Sequence, residues 1–84
     1  MANFRIHPHA QERMKERGVT ENEVATALEH GEQFPAKFGR TGFRYNFSFD
    51  SLWNNEYYKI KQVEVFAVKE EQESAVITVL SKYL

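Results

Sequence analysis

The sequence predicts a small α+β domain in which two short N-terminal helices pack on an antiparallel β-sheet of three to four strands. Three observations carry this. Between Pro8 and Gly31 apolar residues recur at helical spacing, bounded by clear start and stop signals. "FRYNFSF", Phe43 to Phe49, alternates aromatic and polar residues without a break. Two later runs, "YYKIKQVEVFAVKE" and "AVITVLSKYL", are rich in the β-branched and aromatic residues that suit a pleated surface.

In chain order, Asn3 to Ile6 reads as a short first strand with Phe4 and Ile6 on one side. Pro8 suits the first position of a helix, where its missing N–H costs nothing, and His7 before it takes the cap position. The first helix runs from Pro8 to Arg17 and ends at Gly18, which adopts the left-handed backbone freely. Thr20 and Glu23 form a capping box that opens a second helix, and Val24, Ala27 and Leu28 make its apolar stripe before Gly31 ends it.

"EQFPAKFGRTG", with one proline and two glycines, is loop with an edge strand near Phe34. In the next strand Phe43, Tyr45, Phe47 and Phe49 face one way, and Arg44, Asn46 and Ser48 the other. "DSLWNNE" reads as a polar turn with an aromatic tip, where Trp53 and the pair Tyr57-Tyr58 form a satellite cluster or a recognition tip. The strand from Tyr57 to Glu70 turns apolar on both faces near Val63 to Val68, as a central strand does. "EQES" reverses it into a last strand. The aromatic face needs a cover, and the helices supply it.

Composition narrows the function. At 84 residues the chain is one domain, residues 1–84. The net charge is −1 and the isoelectric point about 6.3, so any basic site is local, unlike a general nucleic-acid binder with a value above about 9. The absence of cysteine removes disulfides, zinc thiolates and thiol nucleophiles and points to a reducing, cytoplasmic setting. No apolar run approaches the roughly 20 residues that span a bilayer, and the start of the sequence lacks the apolar stretch of a signal peptide. No membrane partner is expected.

On the first helix His9, Arg13 and Arg17 lie at i, i+4 and i+8, stacked along one stripe. Ala10 and Met14 beside it are the helix's apolar residues and face the sheet, so the stripe borders a groove between helix and sheet. Stacked arginines repel by a few tenths of a kcal/mol unless negative charge sits among them. Either Glu12, Glu16 or Glu64 supplies it, or an external anion does, most plausibly a phosphate gripped by guanidinium forks. A neutral His9 beside arginines can serve as a general base, while a cap or packing role is its structural alternative. His7 and His9 lie two apart around a proline with no obvious third ligand, and His30 complements the dipole at the end of the second helix, so no metal is expected. Arg44 points away from the aromatics and can close one end of a cleft. Tyr45 brings a phenol towards the first helix or packs in the core. Thr78 and Lys82 lie on the last strand, Lys82 at a basic rim.

His9-Ala10, Arg13, Glu16-Arg17-Gly18-Val19, Glu23-Val24 and Ile77-Thr78-Val79 resemble the pattern of domain-of-unknown-function family number four-two-five-eight. That family is similar in turn to the RelE/BrnT-like toxins, small metal-independent ribonucleases with helices packed on an antiparallel sheet. The resemblance implies RNA cleavage through 2′-OH attack without a cofactor, with His9 as acid/base, Arg13 and Arg17 on the phosphate and Thr78 a minor contact. It also implies RNA as substrate and a cognate antitoxin protein as partner. The alternative is a non-catalytic module whose groove binds a phosphate-bearing ligand or an acidic protein.

Overall fold

The computed structural model of the chain describes residues 3–84. The order is β1 (Phe4–Ile6), α1 (Pro8–Arg17), α2 (Glu21–His30), β2 (Glu32–Pro35), a single 3-10 turn at Lys37–Gly39, β3 (Thr41–Trp53), β4 (Glu56–Lys69) and β5 (Ser74–Tyr83). The strands form one sheet in the order β1-β5-β4-β3-β2. It is therefore a five-stranded mixed sheet rather than an antiparallel one of three to four strands. The fifth strand is the three-residue β1, which pairs in parallel with β5 from Phe4↔Ser74 to Ile6↔Val76. A strand that short carries no periodicity from which its direction could be read.

The helix boundaries follow their local signals. The His7 imidazole accepts the His9 N–H at 3.1 Å and caps α1. Gly18 closes α1 at φ 68°, a conformation that glycine adopts without Cβ penalty. At α2, Thr20 Oγ1 accepts the Glu23 N–H at 3.2 Å while Glu23 returns a carboxylate to the Thr20 N–H at 2.9 Å.

Both helices cover one face of the sheet. Ala10, Val19, Val24 and Ala27 meet Val63, Val65, Val76 and Val79 in the buried core, with Phe43, Tyr45 and Phe47 packed against it. The aromatic side of β3 thus faces inward, as its alternation requires. Its other side, carrying Arg44, has no helix over it among the described residues.

Two irregularities were hidden from the pattern. The β4–β5 register steps from Phe66↔Thr78 to Ala67↔Val76, leaving Ile77 as an extra residue. Inward positions therefore change parity, and both Val76 and Val79 are buried. A second shift between Ser48 and Ser51, with Asp50 at φ 43°, lets β3 run on to Trp53. The expected seven-residue turn shrinks to Asn54 and Asn55, whose φ values of 50° and 69° suit a tight hairpin turn of the I′ kind.

Candidate functional site

The site is built where α1 ends. The last carbonyls of a helix have no partner within it. At Arg17 two hydroxyls of β5 fill that role: Tyr83 Oη donates to the Arg17 carbonyl at 2.7 Å and Ser81 Oγ at 3.1 Å. β1 pairs with β5 only at Ser74–Val76, so the outer edge of β5 beyond it is free of a strand. Arg17, pinned by its backbone on the helix side, reaches past this edge to line a concavity with residues of the uncovered face. Its Nη1 is buried with no hydrogen-bond partner among the described residues, and the Glu16 carboxylate lies 3.9 Å away.

The floor consists of two rungs of paired residues on the uncovered face. One runs Arg44–Glu64–Leu80 and the other Asn46–Gln62–Lys82, across β3, β4 and β5. The concavity measures about 590 Å³, with Arg17, Arg44, Glu64, Gln62 and Lys82 among its walls. Arg44 Nε donates to Glu64 at 2.7 Å, Nη1 donates to Glu32 at 3.2 Å, and the guanidinium lies 4.6 Å from the Phe34 ring centre. The hydrogen bond to Glu64 raises the Arg44 pKa above its ordinary value, against the opposing effect of burial. Arg44 is thus a fixed fork rather than a waving side chain.

Three of the residues singled out from the sequence, Arg17, Arg44 and Lys82, meet here. Thr78 lies one rung along, in an adjoining notch with Phe66 and Leu80. The others do not join them. His9 is exposed at the opposite end of α1, about 12 Å from Arg17 along the helix axis. Arg13 is taken by Glu16 at 2.8 Å, and that hydrogen bond holds the Glu16 carboxyl below its ordinary value. Tyr45 faces the helices, its ring 4.8 Å from that of Phe47, so it and Arg44 occupy opposite sides of β3. Among the described residues no three histidine or acidic side chains gather as metal ligands. No helix there is long and apolar enough to cross a membrane.

Along the chain Glu64 reads only as a neutralising carboxylate, and nothing singles out Gln62. Their positions opposite Arg44 and Asn46 become visible only with the β3–β4 register. Three cations around one carboxylate can grip a phosphate through charge-assisted hydrogen bonds and offer a proton acceptor beside it. The chain's excess acid lies partly elsewhere: Glu70 and Glu73 in the β4–β5 turn are paired with Arg5 at 3.0 and 3.1 Å.

No curated protein and no solved structure matches the chain. A family model described as a domain of unknown function, DUF4258, matches residues 6–81, which spans α1, the uncovered face and nearly all of β5. The chain belongs to the DUF4258 family.

Proposed function

We propose that this domain binds RNA through the uncovered sheet face and cleaves it as a metal-independent ribonuclease of the RelE/BrnT-like toxin kind. The observation that carries the reading is the convergence of Arg17, Arg44 and Lys82, from a helix and two strands, on one concavity that also holds Glu64. In that reading the cations hold the scissile phosphate and offset the charge that grows on its oxygens. Glu64 accepts the proton of the attacking 2′-OH as the 2′-oxygen–phosphorus bond forms. The bond to the 5′-oxygen breaks, and water supplies the proton to that leaving group. His9, which the family resemblance offers as acid/base, lies outside this arrangement.

A second reading is favoured by one observation: Arg44 is already held by Glu64 and Glu32. A carboxylate so engaged suits a rigid, non-catalytic receptor for a phosphate-bearing ligand or an acidic protein such as an antitoxin.

Incubation of a mixed-sequence RNA with the wild type, Glu64→Gln, Arg44→Ala and His9→Ala in EDTA at low salt separates these. The first reading expects cleavage that Glu64→Gln and Arg44→Ala abolish and His9→Ala spares. Loss in His9→Ala alone would move the chemistry back to the N-terminus of α1. In a gel shift on the same samples, RNA binding with no cleavage by any form supports the receptor, and neither binding nor cleavage overturns the nuclease and restricts the receptor reading to an acidic protein.

A further inference from the structure

The rung next to Arg44–Glu64–Leu80 on the uncovered face is Gly42–Phe66–Thr78. It lies two residues along the strands, roughly 7 Å away. Over it stands the Lys37–Gly39 turn, and together they enclose a notch of about 290 Å³. Phe38, Phe66 and Leu80 give it apolar walls, Thr78 adds a hydroxyl, and Lys37 and Arg40 add positive charge with no carboxylate among its lining residues. Leu80 lines both this notch and the cationic concavity, so the two lie side by side on the uncovered face.

Phe38 is the feature that ordinary folding leaves unexplained. The residue is 85% exposed, and its backbone sits at φ 61°, a conformation that bulky residues rarely adopt. Two backbone hydrogen bonds hold the turn, Ala36 N–H to the Arg40 carbonyl at 3.0 Å and Arg40 N–H to the Lys37 carbonyl at 3.3 Å. The Arg40 guanidinium lies 5.7 Å from the ring centre. A held, solvent-facing aromatic flanked by cations is how proteins present a platform to an unstacked base.

We infer that this notch is a nucleobase subsite, which takes the base of the nucleotide whose phosphate occupies the Arg17–Arg44–Lys82 concavity. The inference rests on the phosphate reading above and adds a second contact to it. Stacking on Phe38 is tolerant of sequence, because every base has a π-face, so the subsite favours single-stranded over duplex RNA.

Fluorescence anisotropy tests it, with a short labelled single-stranded oligoadenylate and an abasic ribose-phosphate oligomer of the same length. Phe38→Ala is expected to weaken oligoadenylate binding about tenfold and to leave the abasic oligomer unchanged. Phe38→Trp keeps the affinity. Circular dichroism melts establish that each variant is folded, which the ring's exposure favours. Equal binding of both oligomers by the wild type, or an equal effect of Phe38→Ala on both, overturns the subsite while the phosphate reading stands. Failure of the wild type to bind either overturns both. A wild-type dimer in sedimentation that Phe38→Ala dissociates would assign the ring to a second copy of the chain and also overturn the subsite.

Discussion

Lys61 Nζ and Glu23 Oε1 lie 2.8 Å apart beneath the turn that joins α1 to α2, a pair separated by 38 residues of chain. The Lys61 side chain is only 5% exposed, and its ammonium also donates to the Gly18 carbonyl. Glu23 at the same time closes the capping box of α2. The Glu23 carboxylate thus completes a local cap, while the Lys61 ammonium ties the end of α1 and the start of α2 to the central strand.

Removing one partner of a buried pair strands the other. Glu23 keeps partial exposure and its bond to Thr20, which moderates the loss. Lys61→Ala is expected to cost about 2–3 kcal/mol, lowering Tm by roughly 10–20 °C. Lys61→Met, which keeps the apolar stem, costs less. Urea denaturation of Lys61→Ala, Glu23→Gln and the double variant reads the coupling, expected at about 1 kcal/mol or more. Additive effects would show that the two groups act independently.

Two glycines share the left-handed backbone but differ in surroundings. At Gly18 a Cβ would stand 2.5 Å from a Trp53 ring carbon and 3.1 Å from Tyr83 Oη, whereas at Gly39 it meets nothing within 4 Å. Gly39→Ala carries the backbone penalty alone, about 1–2 kcal/mol. Gly18→Ala adds the displacement of an indole stacked 4.7 Å from Tyr83, for about 3 kcal/mol or more. Thermal melts rank the two, and a shift in the Trp53 emission of Gly18→Ala reports the displaced ring. Equal losses would show that strain rather than packing reserves Gly18.

These contacts mark what was legible in the sequence. Caps are local, so His7, Gly18 and the Thr20–Glu23 box could be read residue by residue. The alternation of Phe43 to Phe49 spans several residues of one strand and named its buried side. The direction of β1, the extra Ile77 and the shift near Asp50 depend on partners distant in sequence. Site residues divide in the same way. His9, Arg13 and Arg17 form one stripe on a helical wheel, but Arg13 finds Glu16 on its own helix. Arg17 is drawn to the far face because Ser81 and Tyr83 anchor its carbonyl at an uncovered edge. Nothing in the residues beside Lys61 marks it as buried, and only its place in line with Val63 and Val65 makes it an inward charge.

Tyr83 should make stability depend on alkaline pH. Burial raises its phenol above the ordinary 10.0, so folding favours the protonated form. Its contribution is complete below pH 10 and is lost as pH rises through the higher folded-state value. Tyr57 and Tyr58, raised by hydrogen bonds to Asp50 and Glu56, act in the same direction. Tyr83→Phe is expected to cost about 1 kcal/mol near neutrality, through the lost bond to Arg17, and to flatten the decline above pH 10. Urea midpoints across pH 8 to 11 measure both effects. An unchanged alkaline slope would show that Tyr83 does not contribute to it.

Salt dependence discriminates between the two basic surfaces of the chain. Arg44 and Lys82 line the concavity, while Arg13 is spent on Glu16 outside it. Each phosphate contact to a single strand releases counterions and steepens the fall of log K with log salt by about 0.7. Arg44→Ala and Lys82→Ala should each reduce the slope for single-stranded RNA by about that amount, and together by about 1.4. Arg13→Ala should leave it unchanged. Stability is a poor explanation for such a loss, because partly exposed ion pairs such as Arg44 with Glu32 typically contribute at most about 1 kcal/mol. Anisotropy titrations at several salt concentrations give the slopes, with melts of each variant alongside. A slope that falls in Arg13→Ala and holds in Arg44→Ala would move the anion site from the sheet face back to the exposed flank of α1.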